Sequence, residues 1–148
     1  MIRRPSRVTI LDVGGDDVGA TVLAALHHVL APAALEMLQV VNPYRPFTDT
    51  VEGCQRVRRK IEAAARLPVT GWVGNANLID ETTTAHVVEG YRFAGELAAR
   101  SALPLRFVTA PAHLLDALPA AGWDCPLLPI RRQLTPPWRR PVALAPAV

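Results

Sequence analysis

Val8-Thr9-Ile10-Leu11-Asp12-Val13-Gly14-Gly15-Asp16-Asp17 decides how the rest of the chain is read. An apolar run ends in an acid, two glycines follow, and two more acids open a segment, residues 18–30, whose apolar residues recur at helical spacing. A parallel strand buried on both faces has this look, because it need not alternate. On that reading residues 7–13 are a first strand, and Asp12 sits at its carboxyl end, where open α/β sheets place their ligands. A carboxylate there can hold a Mg²⁺ ion or an attacking water. The same residues allow a plainer reading, in which Asp16 or Asp17 caps the helix and Asp12 bonds loop amides.

Working outward, the alternation continues. Residues 35–41 read as a second strand, closing on Asn42-Pro43-Tyr44-Arg45-Pro46-Phe47, a loop stiffened by two prolines. Thr48 or Asp49 is placed to cap an amphipathic helix that runs to about residue 67. Residues 69–75 are a third strand, and Thr82 to Thr84 cap a long helix over about 85–102. Residues 104–109 make a fourth strand, and a short helix runs from Pro111 to about 121. Residues 127–130 are a fifth strand, placed at an edge because Pro129 has no N–H to donate. Strand alternating with helix at these spacings argues for a three-layer α/β sandwich with a mainly parallel sheet and helices on both faces, of the Rossmann-like kind. Residues 1–134 form one domain on this reading, behind a frayed lead-in at 1–6. Residues 135–148, rich in Pro, Ala and Arg, form a disordered tail.

Composition narrows the function. Half of the 148 residues are hydrophobic, enough for one sizeable core. Lys and Arg number 16 against 13 acids, and the excess sits largely near the two ends, too unorganised to argue for nucleic acid. The two cysteines, Cys54 and Cys125, lack metal-ligand spacing and read as reduced thiols. No apolar stretch is long enough to span a bilayer, so the expectation is a cytoplasmic protein.

The loops after the strands carry the chemistry. In chain order they hold Asp12 with Gly14 and Gly15, then Asn42 and Arg45, then Asn75 and Asn77, then Pro111. All fall on one edge of a parallel sheet. An acid, an arginine and two amide-bearing loops on one rim can serve a nucleotide, since an asparagine pairs with a base edge through both its donor and its acceptor.

Taken together, the Asp-x-Gly-Gly strand end, Val-Val-Asn-x-x-Arg-Pro-Phe at 40–47, Thr-Gly-Trp-Val-Gly-Asn at 70–75 and the Glu-Thr-Thr helix start at 81–83 resemble the MinD/ParA-type P-loop ATPases, in particular their CobQ/CobB/MinD/ParA nucleotide-binding branch. The resemblance covers about residues 7–130 and implies ATP and Mg²⁺ as cofactors. It implies that Asp12 lies near Mg²⁺ and the attacking water as the catalytic acid, that Gly15 senses the γ-phosphate, that Asn75 contacts adenine, and that Pro111 begins a base-flanking loop. Asn42, Arg45 and Asn77 complete the cofactor-binding rim.

One part of the family pattern is missing. The family site needs Gly-Lys-Gly-Gly-x-Gly-Lys-Thr, whose amides wrap the phosphates and whose lysine neutralises them. This chain has one lysine, Lys60, in mid-helix. Its nearest pattern, Gly14-Gly15-Asp16-Asp17-Val18-Gly19-Ala20-Thr21, has Ala20 where the lysine belongs and two carboxylates that would repel a triphosphate. The expectation is therefore the C-terminal part of such an ATPase, a nucleotide-dependent switch that does not hydrolyse ATP alone. Its partner would be a separate Walker A-bearing chain or a second copy. The alternative is a non-catalytic α/β binding or assembly module derived from the same stock.

Overall fold

Helices and strands alternate along residues 8–30 and 35–133, the part of the chain that the computed structural model describes. Helix α1 spans Asp17–Leu30, strand β1 Leu38–Val41, helix α2 Val51–Ala65, strand β2 Gly71–Gly74, helix α3 Thr84–Ser101, strand β3 Leu105–Pro111 and strand β4 Leu127–Ile130. Short 3-10 turns at Ile79–Glu81 and Ala112–Ala117 precede α3 and β4. The strands are parallel and lie in chain order, β1-β2-β3-β4. The parallel α/β sheet is thus as expected, and Pro129 lies in a strand paired with β3 at an edge of the order.

Sequential order has a consequence for the layers. Right-handed crossovers between successive neighbours put the intervening helices on one face. Val51 and Cys54 of α2 and Leu97 of α3 accordingly share one cluster with Val41 and Trp72 of the sheet. Helix α1 packs on α2 rather than on the strands. Its Ala20 and Leu23 are buried with Ile61, Ala65, Leu67 and Val69. Helices α2 and α3 therefore share one face of the sheet, with α1 packed on α2. Val40, Val73 and Phe107, which are register partners, share the opposite face, and Val40 is 58% exposed. The second helical layer of the expected sandwich is not among the described residues.

The caps explain where the helices begin and end. Thr50 accepts the Gly53 amide at 3.1 Å to open α2, and Arg66, in left-handed conformation, closes it by donating to the Glu62 carbonyl at 2.9 Å. Thr83 and His86 form a capping box at the start of α3. Arg100 pairs with Glu52 and Glu96, linking α3 to α2. These exposed pairs orient the helices more than they stabilise them.

Among the described residues, 8–13 form no strand and take no place in the sheet. Val8 and Ile10 are 76% and 88% exposed, and only Val13 turns onto the cluster around α1. A short apolar run marks burial only when a neighbouring strand receives it. The expected helix end at 31–34, the lead-in at 1–6, the domain boundary at 134 and the tail at 135–148 lie outside the described residues.

Candidate functional site

Parallel strands of equal polarity send their carboxyl ends to one rim. Asn42 follows β1, Asn75 follows β2, Pro111 closes β3 and Arg131 follows β4. Asn42 binds the first two loops together. Its Nδ2 donates to the Asn77 carbonyl at 2.8 Å, and its Oδ1 accepts the Tyr44 amide at 3.0 Å. The Asn75 amide donates to the Val41 carbonyl at 2.8 Å, and Asn75 Oδ1 accepts from the Thr109 hydroxyl at 2.6 Å. The rim is thus laced from β1 to β3 by side-chain amides before any ligand is considered.

Asn77 and Pro111 line a crevice of about 770 Å³ at this rim. Ile79 and Ile130 add apolar wall, while His113, Asp80, Arg131 and Arg132 add polar groups. Its size falls in the range of small-molecule sites, roughly 300–1,000 Å³. Asp80 holds Arg132 at 3.3 Å. Ile79 sits at φ 61, a left-handed conformation that a β-branched residue rarely adopts. Two hydrogen bonds hold it there. Asn77 Oδ1 accepts the Ile79 amide at 2.6 Å, and the Thr82 hydroxyl donates to the Ile79 carbonyl at 3.0 Å.

The loop after β1 is rigid for a similar reason. The Tyr44 hydroxyl donates to Glu89 at 2.9 Å, and the ring meets His86 edge-on at a centroid distance of 5.1 Å. Burial first, and the Glu89 carboxylate second, push the Tyr44 phenol up to about 12. A raised phenol favours the neutral form in the fold. Its stabilising contribution is complete below the unfolded value of about 10 and is lost as pH rises through about 12. In a Tyr91→Phe variant Tyr44 is the sole tyrosine. Its 295 nm ionisation midpoint is expected near 12, falling to about 10 in denaturant. A midpoint near 10 in the folded variant would contradict the contact.

The sequence-derived site divides into two groups. Asn42, Asn75, Asn77 and Pro111 come together at the carboxyl rim, but Arg45 is exposed in its loop and does not line the crevice. Asp12 and Gly15 precede α1. They are exposed, and neither takes part in the rim's hydrogen bonds among the described residues. Asp16 caps α1, its Oδ1 accepting the Gly19 amide at 2.7 Å. The Thr21 hydroxyl donates to the Val18 carbonyl at 2.6 Å. Among the described residues no group of three or more His, Cys, Asp or Glu is gathered to hold a metal, and no helix is long and apolar enough to cross a membrane. Burial pushes the Cys54 thiol up to about 11, so it is a packing residue rather than a nucleophile.

Ile79, His113, Arg131 and Arg132 line the crevice without having been expected there. Arg131 and Arg132 read as part of a basic end, although their place directly after a strand was a usable signal. Ile79 and His113 carried none, since only tertiary structure turns them to the rim. Set against protein-family models, curated proteins and solved structures, the chain matches none.

Proposed function

We propose that this chain supplies the base-contacting side of a nucleotide-binding α/β module, acting as a switch rather than as an ATPase in its own right. The observation that carries the proposal is that Asn77 and Pro111, both expected at a nucleotide, line one crevice, with Asn75 locked to Thr109 on the same rim. An edge-on base has amides to pair with there and an apolar wall, Ile79 and Ile130, to pack on.

The phosphate side does not fit. Asp16 already takes the Gly19 amide and places a carboxylate at the start of α1, where a phosphate would need free amides and positive charge. Asp12 stands exposed with no acidic or imidazole cluster around it among the described residues. Catalysis of phosphoryl transfer is mostly positioning and charge neutralisation, and a partner bearing a lysine-containing phosphate loop would have to bring both.

The test is a nitrogen-15 titration with AMP up to about ten times millimolar, a range suited to binding worth ~4 kcal/mol. Shifts are expected at amides in 75–81, 112–113 and 130–132. Shifts centred on the start of α1, or none at all, would remove the nucleotide reading. A second reading, a non-catalytic assembly module, is favoured by Val18 and Val22, 73% and 60% exposed and one turn apart on α1. It is the reading left standing if no nucleotide moves the rim.

A further inference from the structure

The crevice lining combines two chemistries. Part of it is apolar, made by Ile79, Pro111 and Ile130. Ile79 stays 54% exposed while held at positive φ, a sparsely populated conformation for a β-branched residue. Exposing an isoleucine and straining it at once gives the fold no packing in return. The bonds from Asn77 and Thr82 hold that side chain as a wall.

Another part is positive. Arg131 and Arg132 lie at the carboxyl end of β4, and His113 and Asn77 also line the crevice. Asp80, the one carboxylate of the lining among the described residues, is engaged with Arg132 at 3.3 Å, which offsets one of the two guanidinium charges. Arg131 is exposed and makes no ion pair among the described residues. Among the described residues the lining therefore keeps a net positive charge along with its apolar wall, and this balance selects against a cation. A guanidinium fork meets a carboxylate or phosphate through two parallel hydrogen bonds.

We propose that this crevice takes an organic anion, its apolar body against Ile79, Pro111 and Ile130 and its phosphate or carboxylate on the Arg131 guanidinium. Arg132 stays paired with Asp80. The proposal rests on the crevice being the ligand site named above, and not on the ligand being a nucleotide. It places the anionic group at the end of β4 instead of at the start of α1, where Asp16 stands.

Four probes decide the matter: AMP, adenosine, phenyl phosphate and inorganic phosphate, each titrated into the labelled chain and into Arg131→Ala. Arg131 is exposed, so the variant is expected to fold. AMP and phenyl phosphate are expected to bind at least about tenfold more tightly than adenosine, as a charge-assisted pair gives. Inorganic phosphate, lacking a body, is expected to bind more weakly than either. Arg131→Ala should erase the AMP–adenosine gap and leave adenosine where it was. Adenosine binding as tightly as AMP to the native chain, a gap that survives in Arg131→Ala, or inorganic phosphate matching phenyl phosphate would each overturn the anion proposal. The first of these would leave the nucleotide reading intact. Phenyl phosphate binding as tightly as AMP, with adenosine inert, would sink the nucleotide reading and keep this one. Silence from every probe sinks both.

Discussion

Trp72→Ala is expected to lower folding stability by about 3–5 kcal/mol, the usual cost of emptying a buried aromatic site. Trp72 is fully buried in β2 against Val41, Val51, Cys54 and Leu97, so its removal takes contacts from the sheet and from both helices at once. Its indole N–H donates to the Ser101 hydroxyl at 2.7 Å, and that hydroxyl in turn donates to the Leu97 carbonyl at 2.6 Å. The two ends of the bond are therefore unequal. Trp72→Phe leaves Ser101 satisfied, whereas Ser101→Ala strands a buried donor and is expected to cost about 1–3 kcal/mol. Urea unfolding followed by far-UV circular dichroism gives both values. Against a total of roughly 5–15 kcal/mol for a domain, the alanine variant should lose much of its midpoint. A loss below about 1 kcal/mol would mean that the helices do not close over the indole.

Gly90→Ala is expected to destabilise by about 2–3 kcal/mol, although alanine ordinarily improves a helix by about 1 kcal/mol over glycine. A Cβ at position 90 would fall 2.1 Å from the Ala76 Cβ, and both atoms are fixed to backbone, so no rotamer relieves the overlap. Helix α3 must move away from the loop after β2. Gly95, five residues on in the same helix, has open space where its Cβ would go, so Gly95→Ala is the internal control. It is expected to gain up to about 1 kcal/mol. Equal effects at the two positions would show that the approach of α3 to Ala76 is not tight. Because Ala76 stands between Asn75 and Asn77, the same substitution should also displace the rim and weaken whatever binds there.

The sequence made the order of the elements legible, but not their ends or partners. Helix α3 was readable because Thr83 and a run of helical apolar spacing announce it together. For α2 the expected caps, Thr48 or Asp49, gave way to Thr50. The reason lies in the loop. The Thr48 hydroxyl donates to the Asn42 carbonyl at 2.8 Å, and Phe47 takes a positive φ of 72, which delays the helix by one or two residues. Strand β3 runs on to Pro111, and the segment expected as a helix from there is a 3-10 turn ending at Ala117, since the residue before Pro119 is forced to an extended ψ of 153. Residues 8–13 misled most. Hydropathy reports that a segment is apolar, but not whether a sheet neighbour is there to receive it. On the rim, Asn77 and Pro111 could be placed from strand order alone, whereas Arg131 depended on knowing that β4 is the neighbour of β3.

Strand β4 has only four residues, one of them proline, and among the described residues it is joined to the sheet through β3 alone. Short peripheral strands are the first parts of a fold to open. An occupant lodged between Ile79 and Arg131 would reach from the loop after β2 across the end of β3 to the end of β4, and so act as a cross-brace on the weakest member. Occupancy and local order would then be one equilibrium, with the rivet drawing its hold from the strand it secures.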